Sequence, residues 1–125
     1  PTYSPFNEAM SMENRYFNIF AHPTGRLIGE REPYKIDIEK IMDRAVDTGC
    51  ALELNSYPDR LDLNDVYLKA AKEKGCKIVI STDAHSTSGL GFIRFGIGQA
   101  RRGWLEPDDV LNTTNLDTLI KNLER

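Results

Sequence analysis

The chain has 125 residues, 40% of them apolar, and a formal net charge of −3, a profile that excludes a disordered or low-complexity protein. No apolar run approaches the roughly 20 residues needed to cross a bilayer, and no basic stretch followed by an apolar one suggests a signal peptide, so a cytoplasmic location is expected. The mild acidity gives no general support for nucleic-acid binding, and such a function must rest on a local site.

In chain order, Phe17 to Phe20 reads as a strand with His22 at its end, followed by a loop, Pro23 to Lys35, rich in Gly, Pro and charge. Asp37 can cap a helix whose apolar positions Ile38, Ile41, Met42, Ala45 and Val46 follow the i, i+3, i+4, i+7, i+8 pattern, and Gly49 suits its stop. Ala51 to Asn55 is the next strand. A helix with Val66, Tyr67, Ala70 and Ala71 on one face follows, ended by Gly75, and Lys77 to Ser81 is the third strand. Gly49-Cys50 and Gly75-Cys76 thus open two copies of one unit about 26 residues apart, the pattern of a parallel sheet with crossover helices. Both cysteines are expected as small core residues.

Downstream, Leu90, Ile93, Ile97 and Ala100 predict a helix over Gly89 to Trp104. Its glycines Gly91, Gly96 and Gly98 do not follow a strand in the register of a phosphate loop, so close helix packing is expected of them. Glu106-Pro107-Asp108 can start a short helical turn, and Leu116, Leu119, Ile120 and Leu123 predict a terminal amphipathic helix. No linker divides the chain, and residues 1–125 are expected to lie in one domain.

The chain contains two histidines, and both stand where strands run out, the end of a parallel β/α sheet at which active sites gather. Strand parity predicts one sheet face carrying Asn18, Phe20, His22, Glu53, Asn55, Val79, Ser81 and Asp83, with Leu52, Leu54, Ile78 and Ile80 on the other. The first set is too polar for a plain core, because burying such groups without partners costs roughly 1–3 kcal/mol each. Imidazole and carboxylate at His22, Asp83 and His85 suit Zn²⁺, Mn²⁺ or Fe²⁺, and the absence of nearby thiolates argues against a closed structural zinc site. An open site of this kind stabilises charge on a phosphoryl oxygen, so hydrolysis is the natural inference. Arg26 and Arg60 lie on loops after strands. Their guanidinium forks suit phosphate recognition, the alternative being that they pair with Asp62 or Glu30 to hold their own loops. Arg101 and Arg102 complement a helix dipole.

The runs His22-Pro23-Thr24-Gly25-Arg26-Leu27, Leu52-Glu53-Leu54-Asn55 with Pro58-Asp59-Arg60-Leu61-Asp62, and Ser81-Thr82-Asp83-Ala84-His85-Ser86 resemble the later motifs of the PHP (polymerase and histidinol phosphatase) domain. Phe95 to Leu105, followed by Val110-Leu111-Asn112, is similar to the C-terminus of bacterial and archaeal family X DNA polymerases. The resemblance covers residues 16 to about 124 and implies an α/β fold, part of a distorted β/α barrel of seven strands that holds up to three divalent metals, Mn²⁺ or Zn²⁺. It implies a metal-dependent phosphoesterase, with Mn²⁺-dependent 3′ to 5′ exonuclease and repair-type trimming of DNA ends. By motif match His22, Asp83 and His85 would be the metal ligands and catalytic set. Glu53 and Asn55 match inward strand positions, and these two with Arg26 and Arg60 are assigned to substrate or to support of the ligands.

The family's early motifs, including a His-x-His pair, do not occur in this sequence. The stretch is therefore expected to correspond to the C-terminal half of the domain, with an incomplete site of its own. Its expected partners are DNA, the upstream half of the PHP domain and the polymerase domain. A sheet edge along residues 16 to 21 or 77 to 81 is expected to be open to another chain or to a second copy. The alternatives are a stand-alone PHP phosphatase acting on a small phosphomonoester such as histidinol phosphate, and a non-catalytic structural or DNA-contacting module of the polymerase.

Overall fold

The computed structural model describes residues 19–21, 23–30, 32, 37–114 and 116–123. Its centre is a three-stranded parallel sheet in the order β1 (Ile19–Phe20), β2 (Ala51–Asn55), β3 (Ile78–Ser81). Helix α1 (Ile38–Thr48) connects the first pair of strands and α2 (Asp65–Lys74) the second, as the repeated unit predicts. Then come a 3₁₀ segment, Thr87–Phe92, and α3 (Ile93–Arg102), two short 3₁₀ turns, Pro107–Asp109 and Leu111–Thr113, and α4 (Leu116–Leu123). The mixed α/β class is as expected. The predicted strand start at Phe17 lies outside the described residues, as do the side chains of Leu116, Leu119 and Leu123.

Local chemistry sets the helix ends. The Asp37 side chain accepts from Lys40 N–H at 3.1 Å, and Asn64 accepts from Tyr67 N–H at 2.9 Å, each satisfying a donor that the first helical turn leaves free. Gly49 and Gly75 close α1 and α2 in the left-handed region at φ 75° and 87°, a conformation that a Cβ disfavours.

The core fills the space between one sheet face and the helices. Leu52, Leu54, Ile78 and Ile80 meet Ile41, Met42 and Ala45 of α1 and Leu68 and Ala71 of α2, all buried. Burying each of the larger side chains contributes about 1.5–3 kcal/mol. Cys50 and Cys76 are buried within this core and form no disulfide. Burial pushes the Cys76 thiol up to about 11, which keeps it protonated.

Several details differ from the sequence pattern. The register pairs Phe20 with Leu52, and Leu52 with Ile78, so Phe20 lies on the helix-covered face and not with the polar set. Val66 and Val46 are exposed, and Leu68, not Val66, is the apolar anchor of α2. Ile97 faces solvent, because α3 packs through Gly96, Gln99 and Ala100, and Leu90, in the 3₁₀ segment before that helix, is exposed as well. A Cβ on Gly96 would stand 1.9 Å from Ser56 Oγ and 2.8 Å from Ile80 Cγ2. This glycine therefore admits the helix against the sheet, while Gly91 and Gly98 face open space.

The β3 edge is occupied within the chain, which corrects the expectation of open backbone along residues 77 to 81. Val110 forms a parallel bridge with Ile78, and the Asn112 side-chain amide bonds the backbone of Ile80 in both directions. Among the described residues no helix is long and apolar enough to cross a membrane.

Candidate functional site

At the carboxyl ends of the strands the loops after β1, β2 and β3 meet around a cleft of about 530 Å³, lined by Leu27, Tyr57, Arg60, Asp83, His85 and Phe92 with small residues between them. Leu27 comes from the first loop, Tyr57 and Arg60 from the second, and Asp83 and His85 from the third.

Asp83 takes φ 53°, a left-handed conformation that Asp adopts more readily than most residues. This turn brings its carbonyl oxygen to 2.8 Å from His85 Nδ1. A carbonyl can only accept, so Nδ1 carries the proton, and Nε2 of the neutral ring keeps its lone pair for a ligand. Both side chains are exposed at the cleft. A carboxylate and an imidazole whose second nitrogen is fixed by a carbonyl fit a borderline divalent ion. His22, the third expected donor, lies outside the described residues, and among the described residues no group of three or more His, Cys, Asp and Glu could hold a metal.

Arg60 is half-buried in the cleft wall, and its Nη1 is buried with no hydrogen-bond partner among the described residues. An unpaired buried guanidinium nitrogen is costly unless something completes it. Tyr57 and Phe92 stand edge to face with ring centroids 5.5 Å apart, giving the cleft an aromatic wall.

The other sequence-derived residues lie behind this surface. Glu53 accepts from Ser81 Oγ at 2.5 Å and from Asn55 Nδ2 at 3.4 Å, and Asn55 Oδ1 accepts from Tyr57 N–H at 3.0 Å. The network ties the polar sheet face together and holds the start of the Arg60 loop. Arg26 does not line the cleft: its Nε donates to Arg60 O at 2.7 Å and its Nη2 to Leu61 O at 2.6 Å.

Two features escaped the sequence reading. The aromatic wall joins residues distant in the chain, for which no periodicity exists. Asp62, weighed only as a partner for an arginine, is fully buried, and its carboxylate accepts from the N–H groups of Thr24 and Gly25. Its position between Leu61 and Leu63 is the signal that could have exposed it, an acid flanked by two leucines.

The chain is 44% identical over 115 residues, 92% of its length, to the DNA polymerase/3′-5′ exonuclease PolX of Bacillus subtilis strain 168. The resemblance to the family X polymerases is borne out. Probable phosphatases of Thermoanaerobacter sp. strain X514 and of Thermoanaerobacter pseudethanolicus are each 29% identical over 109 residues, 82% of the chain, in keeping with a PHP relationship. The chain spans 20% of the length of PolX and 42% of each phosphatase. No family model matches it.

Proposed function

We propose that this chain contributes to a metal-dependent phosphoesterase site of the PHP type that hydrolyses phosphodiesters at DNA 3′ ends, with residues 1–125 forming the later part of one such domain. The observation that carries the reading is the meeting of Arg60, Asp83 and His85 in one cleft, with a guanidinium nitrogen left unpaired in its wall. Its partners are then DNA and the remaining parts of a polymerase, and its location is the cytoplasm.

Asp83 and His85, with His22, would hold a divalent ion, Mn²⁺ or Zn²⁺, which supplies charge neutralisation at a phosphoryl oxygen when bound. Arg60 binds the phosphate through the part of its guanidinium that lines the cleft, by charge-assisted hydrogen bonds. Tyr57 and Phe92 offer a face on which a terminal base stacks, and such stacking is worth about 1–3 kcal/mol per base. Leu27 adds an apolar side chain to the lining. Glu53 and Asn55 support the loops.

The probable phosphatases among the relatives favour a second reading, a small phosphomonoester as substrate. Assaying a full-length protein that carries this chain, with Mn²⁺, on a 3′-labelled oligonucleotide and on a small phosphomonoester separates the two. Preferential release of 3′ nucleotides, diminished by Arg60→Gln, supports the nuclease. Preferential phosphomonoester cleavage supports the phosphatase, and failure on both supports a non-catalytic module.

A further inference from the structure

We propose that Asp62 and Arg26 form a clamp that positions Arg60 for phosphate, making both of them positioning residues of the cleft. The inference rests on the phosphoesterase reading above and adds to it residues that touch no substrate.

The clamp joins two loops in both directions. Asp62 reaches from the second loop to the first, accepting from Thr24 N–H at 3.0 Å and Gly25 N–H at 2.9 Å through Oδ2. Arg26 reaches back, donating to the carbonyls of Arg60 and Leu61, and Ile28 N–H bonds Asp59 O. Arg60 N–H itself donates to Tyr57 O at 2.9 Å, so both backbone polar groups of Arg60 are held while its side chain lines the cleft. Asp62 is fixed in turn, because its backbone pairs with Asn55 at the end of β2.

This arrangement is expensive. Burial pushes the Asp62 carboxyl up, and hydrogen bonds from Thr24 and Gly25 with the charge of Arg26 pull it only part of the way back. Leu61 sits at φ 42°, a left-handed conformation that a residue with a Cβ adopts only at a cost. Strain of this kind persists where the surroundings over-determine the backbone, and here they over-determine the residue next to Arg60. The functional return is preorganisation: a long side chain whose root is fixed loses less freedom on taking up a phosphate.

A double-mutant cycle on KM tests this, using a full-length protein that carries this chain, with Mn²⁺ and a 3′-labelled oligonucleotide. Asp62→Asn keeps the size of the side chain but puts an amide donor against a backbone N–H. It should raise KM about tenfold while changing kcat less than about twofold, the pattern of lost uniform binding. In an Arg60→Gln background the same substitution should add nothing, since the two act through one contact. Hydrogen exchange should quicken at 24–28 and 57–61. Arg26→Ala supplies the same cycle if Asp62→Asn does not fold. Equal effects of Asp62→Asn with and without Arg60 overturn the clamp as a positioning device and leave the phosphoesterase reading intact. An unchanged KM for Arg60→Gln alone, or no hydrolysis at all, overturns that reading and this inference with it.

Discussion

The side-chain amide of Asn112 stands in for a neighbouring strand on Ile80: Nδ2 donates to Ile80 O and Oδ1 accepts from Ile80 N–H, each at 2.8 Å. An edge strand otherwise presents unpaired backbone groups that another chain can use. One side chain from the turn after α3 removes that opportunity at Ile80.

Asn112→Ala should therefore destabilise the fold by about 1–3 kcal/mol, the cost of leaving backbone groups unsatisfied. Chemical denaturation measures the loss, and amide exchange should quicken at Ile80. Concentration-dependent association of the variant, absent from the parent protein, is expected as the edge reopens.

The glycines of α3 should separate by position. At Gly96 a Cβ meets Ser56 and Ile80, so Gly96→Ala should cost about 1–3 kcal/mol through overpacking. At Gly98 nothing lies within 4 Å, and Gly98→Ala should stabilise the helix by about 0.5–1 kcal/mol. Thermal unfolding of the two variants should shift in opposite directions.

These contrasts show what the sequence makes legible. Asp37, Gly49, Asn55 and Gly75 lie at the boundaries of α1, β2 and α2, because caps, glycine stops and alternating apolar residues act within a few positions. The polar strand-end residues Asp83 and His85 stand out for the same reason. Phe20 and Val66 were misplaced because which face of a short strand or helix is covered depends on elements far along the chain. The Asn112–Ile80 pairing and the Asp62 clamp are contacts across more than 30 residues that leave no local period.

A pH prediction follows from Lys72 and Asp109, whose Nζ and Oδ2 lie 2.8 Å apart. Burial alone would push Asp109 up, but hydrogen bonds from Lys72 and from Glu106 N–H outweigh it and hold the carboxyl below its ordinary value of 3.8. A lowered carboxylate contributes stability that is complete above the ordinary value and is lost as pH falls through the folded one. Asp109→Asn should thus be less stable than the parent at pH 7, and melting curves should converge as pH falls below about 3.8. Asp62, raised by burial, works in the opposite sense: its contribution is lost as pH rises, and it is common to both proteins.

The account's central claim is that Asp83 and His85 hold a divalent ion in the cleft, and paramagnetic broadening by Mn²⁺ tests it without reference to turnover. On titrating Mn²⁺ into the protein, the His85 ring and the amides of residues 83–88 should broaden first, and Asp83→Asn should require at least about tenfold more Mn²⁺ for the same effect. Broadening elsewhere in the chain while the 83–88 loop stays sharp, or equal broadening of that loop in Asp83→Asn, would contradict the account.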